Sequence, residues 1–357
     1  MTTPKACGLE SSSNRPKVVG HRDSGPTDSL ASGRGYSNAQ MRLGLLVPEP
    51  RAGLFDFVAA GEGGVDVISL VNGLPEFDHK TSALSRHVLP GGQAATAAAA
   101  VARLGWRSRW VGVTGDDDWG RVLRRALQQD GVDIAASARP GTATRSAVVF
   151  VDQASGRRAI VESRDSALDM AADEVPTDTV CSGRITLVDG TDMQLSLQTA
   201  TAARRAGLRT MVDLDRRHPA EMQLLAEIDV VILPEALIND LTSTDATGKA
   251  VASLAAALPR AAVVVATIGE GGAVGWCRGE EVRMPAYRVD VRDTTGAGDA
   301  FRAGFAARWL EAGDDDVDVL DLLEYAALVA GLSCRSLGAQ TGLPTAAEAA
   351  RVRSARV

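Results

Sequence analysis

Hydrophobic positions from Phe57 onward fall into two alternating kinds of run. Short, nearly continuous apolar runs predict buried strands, and stretches with an apolar residue every three or four positions predict helices. The predicted strands span residues 58–60, 108–113, 185–188, 209–212, 230–233 and 262–266. The predicted helices span residues 94–104, 120–129, 195–206 and 248–258.

Strands that alternate with helices indicate parallel βαβ units. The predicted fold class is therefore α/β, with a doubly wound, mainly parallel sheet flanked by helices. Two segments, about 67–88 and 147–161, break this rhythm and are typical of β-hairpins inserted between the α/β units. From the pattern alone, they fit either a small separate sheet or ordinary edge strands.

The first 53 residues differ in composition from the rest of the chain. Ser, Gly, Pro, Arg and Asn dominate from residue 11 to 40, and no apolar period is visible there. We therefore predict a disordered tail over residues 1–53 and one domain over residues 54–357. A chain of 357 residues could hold two average domains, but α/β enzymes often keep more than about 250 residues in one.

Charge and cysteine content exclude several classes of protein. The formal net charge is −7, so no global basic face is available for a nucleic-acid backbone. Cys7, Cys181, Cys277 and Cys334 are scattered without a CxxC pair, which favours neither a disulfide framework nor a zinc site. No apolar run reaches the roughly 18 residues of a membrane span. We expect a cytoplasmic protein with no membrane or nucleic-acid partner.

The most informative segment is residues 293–301, Asp-Thr-Thr-Gly-Ala-Gly-Asp-Ala-Phe. Phe301, Phe305 and Trp309 follow at helical spacing, so a helix begins within the glycines. The unpaired N–H groups of a helix start attract anions, and glycines let a ligand approach the backbone. Asp299 lies in the first turn, where a carboxylate can take the proton of an attacking hydroxyl. The alternative is a glycine-rich turn whose acidic residue only complements the helix dipole.

This segment resembles the C-terminal signature of the ribokinase-like, or PfkB, family of carbohydrate kinases. Residues 89–105, which contain Pro-Gly-Gly-Gln-Ala-Ala-Thr, resemble that family's N-terminal di-glycine signature. The resemblance implies a ribokinase-like fold in which 67–88 and 147–161 form a lid over the sugar, often shared across a homodimer. It also implies that Asp299 is the catalytic base, that ATP is the phosphoryl donor, and that an anion hole is formed by the amides of Gly296, Ala297 and Gly298.

The resemblance assigns a substrate-binding role to several residues. Asp66 takes the position of an aspartate that grips sugar hydroxyls, although a solvated loop carboxylate is the alternative. Gly91 and Gly92 allow close backbone approach. Gln93 and Thr96 stand where many members have two asparagines, so the hydroxyl pattern read here can differ from that of ribose.

Residues 90–96, 112–120 and 331–344 look most like the sulfofructose kinase branch of the family. Lys80 would then face an anionic group of the substrate, unless it is simply a solvated lysine. Two other sulfonate-holding positions fall on Glu162 and Thr191. A glutamate would repel a sulfonate, which argues against a sulfosugar substrate.

On the nucleotide side, a strand runs into a glycine-rich turn. The resemblance places Thr267, Gly269 and Gly272 against the ATP phosphates and ribose, and Ala330 and Cys334 in the adenine pocket. The last two could equally be core residues. The absence of a GxxxxGK[ST] sequence disfavours a P-loop kinase.

Two cations are implied. Asp293 and Thr295 match positions that hold a monovalent cation, so K⁺ is expected beside the anion hole. Mg²⁺ would accompany ATP, but the family's Asn-x-x-Glu element reads Pro234 and Leu237 here. Glu235 could act through water, because Mg²⁺ usually keeps several waters and is held mainly by phosphates.

We therefore predict ATP-dependent phosphorylation of a hydroxyl of a small sugar or sugar derivative. A nucleoside kinase of the same fold and a sugar-sensing, non-catalytic homologue are the alternatives. The presence of Asp299 argues against the sensor, because a sensor has no need of a base.

Overall fold

The computed structural model describes residues 41–49, 54–313 and 315–355. The strands, in chain order, are β1 Phe57–Ala60, β2 Gly64–Val71, β3 Ser85–Gly91, β4 Ser108–Gly115, β5 Asp133–Arg139, β6 Ser146–Asp152, β7 Arg158–Ser163, β8 Ile185–Val188, β9 Arg209–Val212, β10 Val230–Pro234, β11 Val263–Thr267, β12 Ala273–Cys277 and β13 Glu280–Met284. The helices are α1 Gln93–Arg103, α2 Asp118–Gln129, α3 Thr177–Val180, α4 Met193–Arg205, α5 Glu221–Leu225, α6 Glu235–Thr242, α7 Thr247–Ala257, α8 Ala297–Ala312, α9 Val319–Ser333 and α10 Ala346–Ser354. Every strand and helix whose range was predicted is present, and the bounds agree to within two residues.

The main sheet has nine strands in the order β13-β12-β11-β10-β9-β8-β1-β4-β5. The strands from β5 to β11 in this order pair in parallel, and β12 and β13 add an antiparallel edge. The direction in which successive strands are added reverses at β1. Strands β4 and β5 lie on one side of β1, and the later strands, β8 to β13, are added on the other side. A crevice opens at the carboxyl ends of the strands at such a reversal, so the fold predicts a ligand site beyond β1 and β8.

The sheet is buried on both faces. Along β10, Val230 and Ile232 point into one hydrophobic core, and Val231 and Leu233 point into the other. The first core packs against α1, α2, α8 and α9, and the second packs against α4, α6 and α7. Continuous apolar strands are typical of a parallel sheet covered by helices on both sides, which explains why the strands were readable as runs.

The two inserted segments form a separate four-stranded sheet in the order β3-β2-β6-β7, which we call the lid. They are therefore not edge strands of the main sheet. Its inner face carries Ile68, Ala147, Val149 and Val151, which are buried. Because side chains alternate along a strand, the opposite face of the lid points away from this small core.

Residues 41–49 fall within the predicted tail, but they pack against the domain. The Leu43 N–H donates to the carbonyl oxygen of Val317 at 2.9 Å, and the Val47 N–H donates to that of Gly313 at 3.1 Å. The indole of Trp309 donates to the carbonyl oxygen of Leu45. Leu43 and Val47, four residues apart, are both buried. This spacing of two apolar residues is a weak sequence signal for packing, and the polar composition around it hides it. Residues 1–40 and 50–53 of the predicted tail lie outside the described residues.

Substitution of Leu43 with alanine tests whether this segment stabilises the domain. Leu43 is 2% exposed, so we expect Leu43→Ala to lower the free energy of unfolding by about 2–4 kcal/mol. Leu46→Ala is the matched control, because Leu46 is 43% exposed and its truncation should change stability by less than about 0.5 kcal/mol. Urea denaturation measures both. Equal, small effects would show that the segment is only loosely attached.

Candidate active site

Acidic side chains collect at the reversal of strand order. Asp189 directly follows β8, Asp213 directly follows β9, and Asp299 lies in the first turn of α8. Glu62 lies between β1 and β2. These groups converge because the carboxyl ends of parallel strands share one edge of the sheet.

The turn before α8 is fixed by a buried carboxylate. One oxygen of Asp293 accepts from the N–H of Thr295 at 2.9 Å and from its hydroxyl at 2.7 Å, and the other accepts from the Gly338 N–H at 2.8 Å. Gly296 follows with φ +75°, and a Cβ there would lie 2.7 Å from Ala339. Glycine is therefore required at this position for both backbone conformation and space.

The predicted anion hole lies at the start of α8. The N–H of Ala297 donates to the carbonyl oxygen of Thr294 at 3.2 Å. Among the described residues, the N–H groups of Gly296 and Gly298 have no hydrogen-bond partner, and they sit at the positive end of the helix. Two of the three predicted donors are thus free to bind an anion.

Asp299 lies beside a second carboxyl group, which the sequence analysis did not identify. Asp213 is 1% exposed, and it lies close enough to Asp299 for each carboxyl to shift the pKa of the other. Burial and the neighbouring Asp213 raise the pKa of Asp299 well above its usual range, while Arg302 opposes the shift. Asp213 also accepts from Gln93 Nε2 at 3.0 Å, so the predicted substrate residue Gln93 belongs to the same network as the predicted base.

Asp66 lies in strand β2, which begins at Gly64 and is separated from the end of β1 by three residues. Asp66 is 4% exposed, and its Oδ1 pairs with Arg145 Nη1 at 2.7 Å. Burial raises the pKa of Asp66, and the charge of Arg145 opposes this. The alternative of a solvated loop carboxylate is therefore excluded.

Glu162 lies on the same face of the lid as Asp66, since both flank Ala147 in the sheet register. It contacts Arg145 Nε at 3.3 Å and Arg216 Nη2 at 3.0 Å. Although burial acts the other way, these two arginines lower the pKa of Glu162. Glu162 is thus a charged group already paired with two cations.

Glu62 completes the cluster around Arg145. It is 8% exposed, and its Oε2 lies 3.2 Å from Arg145 Nε. Its Oε1 is buried without a hydrogen-bond partner among the described residues, although Arg164 Nε lies 3.9 Å away. Glu62 lines a pocket with Gly61, Arg164 and Asp192. Burial raises the pKa of Glu62 to about 8, despite the charge of Arg145.

The di-glycine turn brings α1 close to these carboxylates. A Cβ on Gly91 would lie 2.4 Å from Asp66 Oδ2, and one on Gly92, where φ is +91°, would lie 2.6 Å from Gly63. Thr96 is fully buried, and its hydroxyl accepts from Gln340 Nε2 at 3.3 Å. Thr96 therefore has a partner within the protein.

Lys80 is not brought to this cluster. It is exposed on the connection between β2 and β3, and none of the contacts found among the described residues joins it to the pocket. Thr191, the other position considered for a sulfonate, lies near Gln93, with its hydroxyl 3.5 Å from Gln93 Oε1.

The predicted nucleotide side lies at the end of β11. Thr267 is the last residue of this strand, and a short 3-10 turn, Gly269–Gly271, follows it. Gly269 and Gly272 have φ of +56° and +88°, so both use a conformation that favours glycine. The turn closes through a bond from the Ile268 N–H to the carbonyl oxygen of Gly272 at 2.8 Å.

Ala330 and Cys334 lie on α9 and at its C-terminal cap. The carbonyl oxygen of Cys334 accepts from the N–H groups of Arg292 and Asp293, at 2.9 and 3.3 Å. The thiol of Cys334 lies 3.2 Å from the carbonyl oxygen of Ala330. The end of α9 is thereby joined to the turn that precedes α8.

The predicted cation positions have protein partners of their own. Both oxygens of Asp293 and the hydroxyl of Thr295 hold the turn together, as described above, and this role needs no K⁺. Glu235 accepts from the Thr247 hydroxyl. Among the described residues, no group of three or more His, Cys, Asp or Glu side chains is arranged to hold a metal. No protein ligand of Mg²⁺ is therefore assigned.

Residues 56–346 match the pfkB family carbohydrate kinase model. The chain belongs to this family. It is a carbohydrate kinase, as its two signatures predicted. Fructokinase-1 of Zea mays is 29% identical over 281 residues, which cover 72% of this chain and 86% of the maize protein. The ATP-dependent ribose-1-phosphate kinase of Halopiger xanaduensis is 31% identical, over 84% of this chain and 98% of that protein.

The fold prediction is confirmed by solved structures of this kinase family. The structure of Arabidopsis thaliana ribokinase complexed with ribose and ATP has a TM-score of 0.71 at 25% identity, and covers 84% of this chain and 98% of that one. The chain is a ribokinase-like α/β protein. Assignment to the sulfofructose kinase branch stays a prediction. Among the described residues, no helix is long and apolar enough to cross a bilayer.

Several residues of this kinase's site were missed from its sequence. Asp189 and Asp213 each follow a buried strand directly, and an acidic residue at the end of such a strand is the signal that could have found them. Arg145 and Arg302 carried no signal, because their partners come from distant parts of the chain. Arg145 reaches Asp66 across the lid, and Arg302 reaches Asp213 across the sheet edge.

The raised pKa of Glu62 predicts a pH-dependent stability. A carboxyl with a pKa of about 8 in the folded protein and about 4.5 when unfolded binds more protons when folded, so its stabilising contribution is complete below about pH 4.5 and is lost as the pH rises through about 8. We expect Glu62→Gln to flatten the fall in unfolding free energy between pH 5 and pH 8 by roughly 1–3 kcal/mol.

Urea denaturation across this pH range measures the effect. Asp189, whose pKa burial raises to about 7, should leave a residual slope in the variant. Glu76→Gln is the control, since Glu76 is exposed on the lid connection. A slope that is the same in Glu62→Gln and in the wild type would show that Glu62 is ionised throughout.

Proposed function

We propose that this protein transfers the γ-phosphoryl group of ATP to a hydroxyl of a small sugar held between the lid and the sheet edge, with Asp299 as the base. The observation that carries the proposal is the position of Asp299. It lies in the first turn of α8, next to the free N–H groups of Gly296 and Gly298, at the edge where the sheet reverses its order. A hydroxyl placed there meets a proton acceptor and an anion site together.

The roles of the other groups follow from the charge that develops in phosphoryl transfer. Asp299 takes the proton of the substrate hydroxyl as its oxygen bonds to phosphorus and the bond to the ADP oxygen breaks. The N–H groups at the start of α8 stabilise the negative oxygens of the transferring group. Mg²⁺ supplies charge neutralisation to the ATP phosphates when bound. Asp66 and Glu162, held by Arg145, accept hydrogen bonds from the other hydroxyls of the sugar.

The relatives support ATP as the donor and a small sugar as the acceptor. One relative is named an ATP-dependent kinase, and the Arabidopsis ribokinase was solved with ribose and ATP. The maize relative is named a fructokinase. The cluster around Arg145 offers the carboxylate oxygens of Asp66, Glu62 and Glu162. Because Arg145 is already paired with all three, the cluster favours a neutral ketohexose or pentose over an anionic sugar.

Asp299→Asn tests the assigned base. An amide cannot accept the proton, so we expect kcat to fall by about 10²–10⁴, with little change in thermal stability. ADP release is measured over a panel of ketoses, aldopentoses, sugar phosphates, sulfosugars and nucleosides. Asp290→Asn, an exposed residue just before the turn, is the control. Undiminished turnover in Asp299→Asn would overturn the assignment, and turnover of nucleosides alone would assign the protein to nucleoside kinases.

We also propose that the outer face of the lid pairs with a second copy of the chain. Val88, Val67, Val148 and Val161 stand side by side across all four strands, in one register row. Val161 is 65% exposed and Val148 41% exposed. A row of exposed β-branched residues across a sheet is typical of a surface that is covered in an assembly.

Val148→Asp tests this arrangement by sedimentation velocity. We expect the wild type to sediment as a dimer and the variant as a monomer, because a buried, unpaired carboxylate opposes association. Met222→Asp, on α5 and also 41% exposed, is the matched control and should remain a dimer. A monomeric wild type would contradict the proposal.

A further inference from the structure

An arginine is buried behind the predicted base. Arg302 lies on α8 one turn after Asp299 and is 2% exposed. Its Nε donates to the carbonyl oxygen of Ile232 at 2.9 Å, and its Nη2 lies 3.0 Å from Asp213 Oδ1. A buried arginine is costly unless its charge is balanced, so its position indicates a specific task for the pair.

Asp213 connects this arginine to Asp299. Its Oδ1 accepts from Gln93 Nε2 and pairs with Arg302, whereas its Oδ2 has no donor among the described residues. Asp213 and Asp299 lie close enough for each to shift the pKa of the other.

Other charged groups also act on this pair. Asp215 adds negative charge to both carboxyls, and it is itself paired with Arg216 at 2.9 Å. Asp189 lies close enough to Asp213 for the two charges to interact. Arg302 is the cation that lowers the pKa of both Asp213 and Asp299.

We call Asp213, Asp299 and Arg302 the trio. The net charge of the trio decides whether Asp299 can act as a base. Two adjacent buried carboxylates without a cation would retain one proton at neutral pH, because like charges at short range cannot both be ionised. With Arg302 present, two ionised carboxyls leave a single net negative charge. Uptake of one proton then makes the trio neutral.

We propose that Asp213 and Arg302 are positioning residues for phosphoryl transfer, in which Arg302 balances the paired carboxyls so that Asp299 is free to accept the proton of the substrate hydroxyl. This inference rests on the proposed function. In the step, the substrate oxygen bonds to phosphorus, the bond to the ADP oxygen breaks, and the hydroxyl proton passes to Asp299. Asp213 then accepts a hydrogen bond from the protonated Asp299.

The test compares the acidic limb of the pH profile of kcat/KM among charge variants. Arg302→Met removes the cation, so we expect the limb to move up by about one to three pH units. Asp213→Asn removes the like charge, so the limb should move down. The double variant has the net charge of the wild type and should return the limb towards it. Arg302→Lys should keep the limb near its wild-type position.

Arg308→Met is the matched control. Arg308 lies on the same helix and pairs with Asp321 and Glu311 away from the site, so its loss should leave the limb unchanged. Equal limbs in Arg302→Met, Asp213→Asn and the wild type, with only thermal stability reduced, would show a purely structural role and overturn the proposal. If Arg302→Met does not fold, the acidic limbs of Asp213→Asn and of the double variant test the proposal. A limb at the wild-type pH in Asp213→Asn would then overturn it.

Carbon-13 NMR of the aspartate carboxyls in the full chain separates this proposal from the proposed function. A wild type that transfers phosphoryl to no member of the panel refutes the function. The carboxyl titration still reports on the trio in that case. Titration of Asp299 at lower pH in Asp213→Asn than in the wild type supports the proposed pair, and an unchanged titration overturns it.

Discussion

The reversal of strand order at β1 is the constraint on which the rest of the molecule depends. The connections that follow β1 and β8 run towards opposite sides of the sheet. They therefore leave a crevice between them at the carboxyl ends of these two strands. The lid enters through this gap, α1 begins there at Gly92, and α8 arrives with Asp299. Chemistry at this edge therefore combines residues from widely separated parts of the sequence.

Concentrating carboxyl groups at one edge has an electrostatic cost, and three arginines offset it. Arg145 lies among Asp66, Glu62 and Glu162, Arg302 pairs with Asp213, and Arg216 joins Glu162 to Asp215. Arg216 comes from the main domain and Glu162 from the lid, so charge pairing also ties the lid to the sheet. Burial raises the pKa of Glu62 and Asp66, and the charge of Arg145 opposes this rise in both.

The fold was largely predictable from the sequence, and the site was predictable only in part. Strands buried on both faces appear as apolar runs, and helix starts are marked by glycines, so local patterns located β1, α1 and α8. Asp66 was predicted as a substrate-binding residue, but the alternative of a loop carboxylate stayed open, because glycines precede it and give the segment the composition of a turn. Arg145 and Arg302 could not be found, since a buried arginine is explained only by partners that tertiary folding brings to it.

The pleat of the lid has a consequence for how this segment can vary. Asp66 and Glu162 stand in one register row, and the valine row of Val67 and Val161 stands in the adjacent row, on the opposite face. An insertion of one residue within β2 or β7 would exchange the two faces and turn valine towards the sugar and carboxylate towards solvent. Length changes in the lid are therefore tolerable in the exposed connection 72–84, or in steps of two within the strands.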